Sequence, residues 1–268
     1  MFKLLTFFCC VTATYSGWSQ SLHFTKEKAD RQYVEFKNQL IEKLKNTAPG
    51  KFSDHLPGII HTLNTNEKNI ALTFDACGGT NGSGFDEELI AFLIKENIPA
   101  TLFITGTWIQ KNTAAFQTLC RQPLFRIENH GLTHHPCALG KESKYGIKGT
   151  DGLGEAIDEV ELNARIIESY TNRRPVYYRP ATAYTDEGCM TLVKELNQEV
   201  AGYSVLSGDA VAGTPAENIK QNILRGAKSG SIVIMHMNHP TWNTLEALQM
   251  AIPVLRKDGY RFVYMKSQ

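Results

Sequence analysis

The sequence predicts an α/β domain, a barrel of parallel strands preceded by an amphipathic helix. Three observations carry this reading. Strand-like and helix-like segments alternate from Ile70 to the end of the chain, the signature of repeated βα units and a parallel sheet. Seven strand-like runs can be counted, enough for closure into a barrel. The competing fold, a doubly wound open sheet, would place a glycine-rich phosphate fingerprint after its first strand, and none stands there in the right form.

In chain order, "MFKLLTFFCCVTATYSGWSQS" carries Lys3, an apolar run from Leu4 to about Val11, then small and polar residues. That is the layout of a secretory leader cleaved between Thr14 and Gln20, and its apolar run is too short to span a bilayer. Residues 1–19 therefore read as a signal peptide, 20–57 as a helical extension and 58–268 as the main domain of a secreted or periplasmic protein with no integral membrane segment once the leader is removed. From Thr25 to Asn46, Ala29, Tyr33, Phe36, Leu40, Ile41 and Leu44 recur at spacings of three and four, an amphipathic helix expected to pack on the outside of the domain. "NTAPGKFSDHLPG" is a loop. The strands are "IALTF", "ATLFI", "FRIE", "PVYY", "AGYSVL", "SIVIM" and "YRFVY", with helical patterns such as "DEELIAFLIKEN" and "LGEAIDEVELNARIIESY" between them.

A net charge of +1 and a charged fraction of 21% give no electrostatic basis for binding nucleic acid or an acidic partner. With 42% hydrophobic residues, 13 Phe and 10 Tyr, the chain can fill a sizeable core. Removing the leader leaves Cys77, Cys120, Cys137 and Cys189, and export permits disulfides.

Polar residues gather where the strands stop. Asp75 ends the first strand, an expensive place for an acid unless something pairs with it or uses it. His130 and His134 follow the third strand, Arg179 follows "VYY", Asp209 lies past "YSVLS" and His236 follows "SIVIM". Carboxyl ends of parallel barrel strands share one face, so these six residues from five strands should converge. His130 and His134 stand four residues apart, which on a helical turn puts both imidazoles on one side, a geometry for a divalent metal and usually zinc. Two loop histidines capping carbonyls are the alternative. The expected nearness of Asp75 and His236 favours metal.

"ALTFDACGG", "NHGLTHHP", "YYRPATAY", "SGDA" and "IVIMH" occur in the order and spacing of the polysaccharide deacetylases, the NodB-type carbohydrate esterase family 4, and the chain resembles that family from about Gly58 to Met265. The resemblance implies a distorted (β/α)7 barrel and a hydrolase that removes acetyl groups from N-acetylated glycans with a metal-bound water. By position, Asp75 matches the base and His130 and His134 the metal ligands. His236 matches the acid, Arg179 the residue that orients the base, and Asp209 the carboxylate that tunes the acid. A backbone N–H near Thr182 would hold the oxyanion.

The chain departs from the family pattern at three places. Ala76 stands where a second aspartate normally binds metal; Cys77, Glu128, His135 or His239 are the candidate replacements. Thr182 replaces a tyrosine, with Tyr184 placed to fill the gap on the substrate side. Ala210 replaces a tryptophan. Cys77 and Cys137 flank the site motifs, so a Cys77–Cys137 disulfide is expected, with free thiols as the alternative and Cys120 and Cys189 packed in helices. Trp108 reads as core, while Trp242 is open between stacking on a sugar and rim packing. Two other functions stay in view: a metal-independent hydrolase of a small non-peptide amide, and an inactive glycan-binding domain.

Overall fold

The computed structural model describes residues 16–266, with side chains from Asp30 onward. The expected leader thus lies outside the described residues through Tyr15. The chain falls into two units, Met1–Lys45 and Asn46–Gln268. In the first, α1 (Ser16–Leu44) is one helix, reaching further toward the N-terminus than the Thr25–Asn46 pattern predicts. Among the described residues no helix is long and apolar enough to cross a membrane.

The second unit alternates strands and helices. It runs β1 (Phe52–Ser53), β2 (Asn69–Ala76), α2 (Glu87–Lys95), β3 (Ala100–Ile104), α3 (Gly106–Lys111), α4 (Thr113–Arg121), β4 (Phe125–Asn129) and α5 (Leu153–Thr171). It continues with β5 (Tyr177–Tyr178), β6 (Thr185–Asp186), α6 (Glu187–Glu195), β7 (Glu199–Val200), β8 (Val205–Leu206), α7 (Ala216–Gly226), β9 (Ser231–His236), α8 (Thr244–Lys257) and β10 (Arg261–Val263). The main sheet is parallel, in the order β7-β5-β4-β3-β2-β9-β8, with β10 on the first residues of β2.

β2 lies inside the sheet, paired with β3, β9 and β10, and both its faces are apolar. Ile70, Leu72, Phe74 and Ala76 pack into the core shared with the helices, with Leu89, Leu93 and Ile252 among their companions, while Ala71 joins Phe103, Tyr177 and Ile232 on the inner side. The two-residue period of a strand therefore puts Asp75 on the inner face, away from Ala76.

The expected strand "AGYSVL" is broken. Its neighbours β7 and β8 sit on opposite edges of the sheet, and the chain between them crosses the open side of the barrel. The segment after Ile59 lines that gap: Ile60 N–H donates to Val200 O at 2.9 Å, Gly202 N–H to Ile60 O at 2.9 Å, and Leu63 N–H to Gly230 O at 2.8 Å. A side chain at Gly202 would come within 2.8 Å of His61 and Ile59, so only glycine passes here.

The disulfide joins Cys137 to Cys189, with Cα atoms 5.9 Å apart, and not Cys77 to Cys137. The cause is local. Cys137 pairs with Thr185 and its carbonyl accepts from Asp186 N–H, which lays it beside the first turn of α6, where Cys189 is held as Asp186 caps its N–H at 2.7 Å. Cys77 and Cys120 are free.

Candidate active site

Asp75 and Arg179 form the buried floor of the site, 3% and 0% exposed. Arg179 Nη1 lies 2.7 Å from Asp75 Oδ1 and also donates to Thr73 Oγ1, while Nη2 donates to Gly202 O at 3.0 Å. The guanidinium lies over the Phe103 ring, 4.1 Å from its centre. A buried ion pair is stable only when its spare donors are satisfied in this way. Burial pushes the Asp75 carboxyl up, but the charges of Arg179, His130 and His236 outweigh it and hold Asp75 below the usual carboxylate range.

His130 and His134 lie on a loop and not on a helical turn: Gly131 has φ 88° and His134 φ 68°. The bend brings the two rings to 5.0 Å centre to centre. His130 Nδ1 is 2.7 Å from Arg179 O, and because a carbonyl only accepts, Nδ1 carries a proton, so that in the neutral ring Nε2 presents its lone pair. That lone pair faces Cys77 Sγ at 3.9 Å and Asp75 Oδ2 at 3.7 Å. Donor atoms of Cys77, His130 and His134 all lie within 4.8 Å of one another. The strand alternation that turns Ala76 into the core returns Cys77 to the Asp75 side. Burial raises the Cys77 thiol, but the His134 charge and hydrogen bonds from His130, His134 and His236 win and lower it well below its usual 9.0. A thiolate and two imidazoles are a donor set suited to zinc. Of the other replacements considered, Glu128 is tied to Arg126, Arg173 and the backbone of Val176 and Tyr177. His135 is bonded to Lys148 O, and His239 stacks on Trp242.

Sequence reasoning missed what holds the histidine loop. Glu159 on α5, 2% exposed, accepts from Thr133 N–H at 2.9 Å, Thr133 Oγ1 at 2.7 Å and His135 N–H at 3.0 Å. One turn further along α5, Asn163 donates to Asn129 Oδ1, which in turn accepts from Gly131 N–H. A Cβ at Gly131 would meet Glu159 Oε1 at 2.3 Å. The only signal in the sequence is a pair of polar residues, four apart, on an amphipathic helix, and that pattern ordinarily faces solvent.

On the opposite side His236 Nδ1 is 3.1 Å from Asp209 Oδ1. Asp209 also accepts from His236 N–H at 2.7 Å, Ser207 Oγ at 2.9 Å and Thr244 Oγ1 at 3.1 Å, so both its oxygens are engaged. Burial would lower the His236 pKa, but the Asp209 charge and hydrogen bond dominate and raise it well above 6.5. Trp242 packs its ring edge to face against His236 at 5.6 Å and stacks on His239 at 3.8 Å. It thus walls one side of His236. Trp108 is core, fully buried, its Nε1 donating to Gly84 O.

Thr182 and Ala183 take positive φ of 65° and 61° in succession, rare for any residue with a Cβ and most of all for a β-branched one. Such strain is kept where the surroundings over-determine it, often at functional sites. Tyr184 does not point to the floor of the site but joins Phe52 and Tyr145, at 5.5 and 6.1 Å between ring centres.

The parallel barrel thus brings together an arginine-held carboxylate, a carboxylate-held histidine and, between them, a cluster of three donors that could hold a metal ion. Residues 62–201 match the polysaccharide deacetylase family, and the chain belongs to that family, whose members hydrolyse non-peptide carbon–nitrogen bonds. It is 26% identical over 200 residues to the peptidoglycan-N-acetylglucosamine deacetylase of Bacillus cereus, covering 74% of this chain and 86% of that protein. A solved peptidoglycan N-acetylglucosamine deacetylase in complex with a substituted benzamide superimposes with a TM-score of 0.66 at 23% identity, over 78% of this chain and 91% of that one. A CE4 family pseudoenzyme from Bacillus anthracis superimposes at 0.64 and 23% identity, over 79% and 69%. The likeness fixes the fold as the distorted (β/α)7 barrel. A pseudoenzyme shares it, so activity rests on the site residues and not on the barrel.

Proposed function

We propose that this protein is an exported, zinc-dependent deacetylase of N-acetylated glycans, acting on cell-wall polysaccharide or a chitooligosaccharide. Cys77, His130 and His134 would hold the ion, with Cys77 in the place of the missing aspartate. The observation that carries this reading is their convergence between the Asp75–Arg179 and Asp209–His236 pairs. Bound there, zinc supplies Lewis acidity and a water acidic enough to act as nucleophile near neutral pH.

The remaining chemistry belongs to the chain. Asp75, held ionised by Arg179, accepts the proton of the attacking water. The backbone N–H at Thr182 stabilises the charge that develops on the acetyl oxygen. His236, held protonated by Asp209, gives its proton to the departing sugar amine, which is otherwise a poor leaving group. A leader over residues 1–19 and relatives named for peptidoglycan support a site outside the cytoplasm.

The test is acetate release from N-acetylated oligosaccharides and glycan strands, before and after chelation and zinc return. The expected result is activity that disappears on chelation and comes back with zinc. Turnover of an amide that persists in chelator, with no metal bound, would replace this reading with the metal-free hydrolase.

A further inference from the structure

The loop between Gly140 and Asp151 takes no part in the chemistry above, yet its tip is strained. Lys144 and Ile147 exchange both backbone hydrogen bonds, at 3.0 and 2.9 Å, so the loop ends in a two-residue hairpin. The two turning residues, Tyr145 and Gly146, have φ of 51° and 77°. Two successive positive φ values in such a turn favour Asn-Gly or Asp-Gly, and a tyrosine at the first position pays a steric penalty. The ring held there is 75% exposed.

The exposed ring is also braced. Tyr145 meets Tyr184 edge to face at 6.1 Å, and Tyr184 lies 5.5 Å from Phe52. The Lys144 ammonium sits between the two tyrosines, 4.1 Å from the centre of Tyr184 and 4.9 Å from that of Tyr145. Phe52 is fixed from behind because β1 pairs with β6, the strand that directly follows Tyr184. Tyr184 stands on the same short loop as Arg179 and the strained Thr182, which ties the strip to the reaction centre.

We propose that Tyr145, Tyr184 and Lys144 form a binding subsite for a sugar that flanks the one being deacetylated. A pyranose offers a face of C–H groups that packs on an exposed aromatic ring, and Lys144 brings N–H donors to a hydroxyl or an N-acetyl carbonyl. The ligand is therefore an N-acetylated oligosaccharide longer than the unit in the reaction centre. The inference rests on the deacetylase reading and deepens it.

The test compares dimers and pentamers of N-acetylglucosamine in the full-length protein, by calorimetric titration of the Asp75→Asn background and by kcat/KM in the active one. Tyr145→Asn is the informative variant, because it suits the turn and should raise the melting temperature while removing the ring. The expected result is a preference for pentamer over dimer that falls roughly tenfold in Tyr145→Asn and is retained in Tyr145→Phe. An unchanged preference in Tyr145→Asn overturns the subsite and leaves the deacetylase reading intact. A native protein that neither binds nor deacetylates either oligomer overturns both.

Discussion

Asp75 and Asp209 are the same side chain, both near the carboxyl end of a barrel strand and both 3% exposed, yet their surroundings fit them for opposite tasks. Asp75 gives one oxygen to a fixed cation, Arg179, and leaves Oδ2 facing the His130 and Cys77 side of the site. Asp209 has both oxygens occupied, and its charge is placed on His236. Burial is equal in the two, so burial does not set the role. A carboxylate neutralised by a guanidinium with one oxygen left open is suited to accept a proton. One whose oxygens are all engaged can only orient and charge its neighbour.

The largest expected effect comes from removing the open oxygen's charge. Asp75→Asn should lower kcat by about 10³-fold with the fold intact, measured as acetate release alongside the melting temperature. A loss of only a few-fold would break the assignment of Asp75 as base.

Asp209→Asn tests the other half through pH. A negative neighbour favours the imidazolium, so it raises the His236 pKa, and activity should persist on the alkaline side until pH passes that raised value, above 6.5. Neutralising Asp209 should move this alkaline limb down toward the ordinary histidine value, while the acid limb, set by Asp75, stays below the ordinary carboxylate range. A pH–rate profile in which the alkaline limb does not move would contradict the account.

Glu159 sharpens the comparison as a third buried carboxylate, whose contacts to the histidine loop are neutral N–H and O–H groups. It positions that loop, so Glu159→Gln should weaken zinc affinity by about 10–100-fold and be rescued by excess zinc. A drop in melting temperature with unchanged affinity would make its role merely structural. The smallest effect on catalysis is expected at the edge of the site. Replacing Cys137 and Cys189 by serine should cost about 4 kcal/mol of stability in denaturant titrations, with kcat near native below the transition. A collapse of kcat in the folded state would mean that the disulfide shapes the site itself.

Much of the site was legible because each residue sits at a strand end, and strand ends can be read from buried apolar runs: "IALTF" delivers Asp75 and "SIVIM" delivers His236. What was not legible depends on tertiary contacts. "AGYSVL" reads as one strand, and only the close approach of His61 and Ile59 to Gly202 reveals that the chain is crossing the barrel there. The sequence pointed to Cys77 as the partner of Cys137 because Cys189 lies in a helical pattern, and it is the Cys137–Thr185 pairing that brings Cys137 and Cys189 together. Cys77 was expected in a disulfide, yet alternation along β2 aims it at the histidines, a consequence visible only once Ala76 is seen in the core.

The central claim is that a thiolate stands in for the missing aspartate, and cobalt reports on it directly. Metal-free protein titrated with Co(II) should bind the ion tightly and develop a thiolate-to-cobalt charge-transfer band in the near ultraviolet. That band should vanish in Cys77→Ser and persist in Cys137→Ser/Cys189→Ser. Cobalt bound with the same spectrum in native protein and Cys77→Ser would contradict the claim, as would no binding at all.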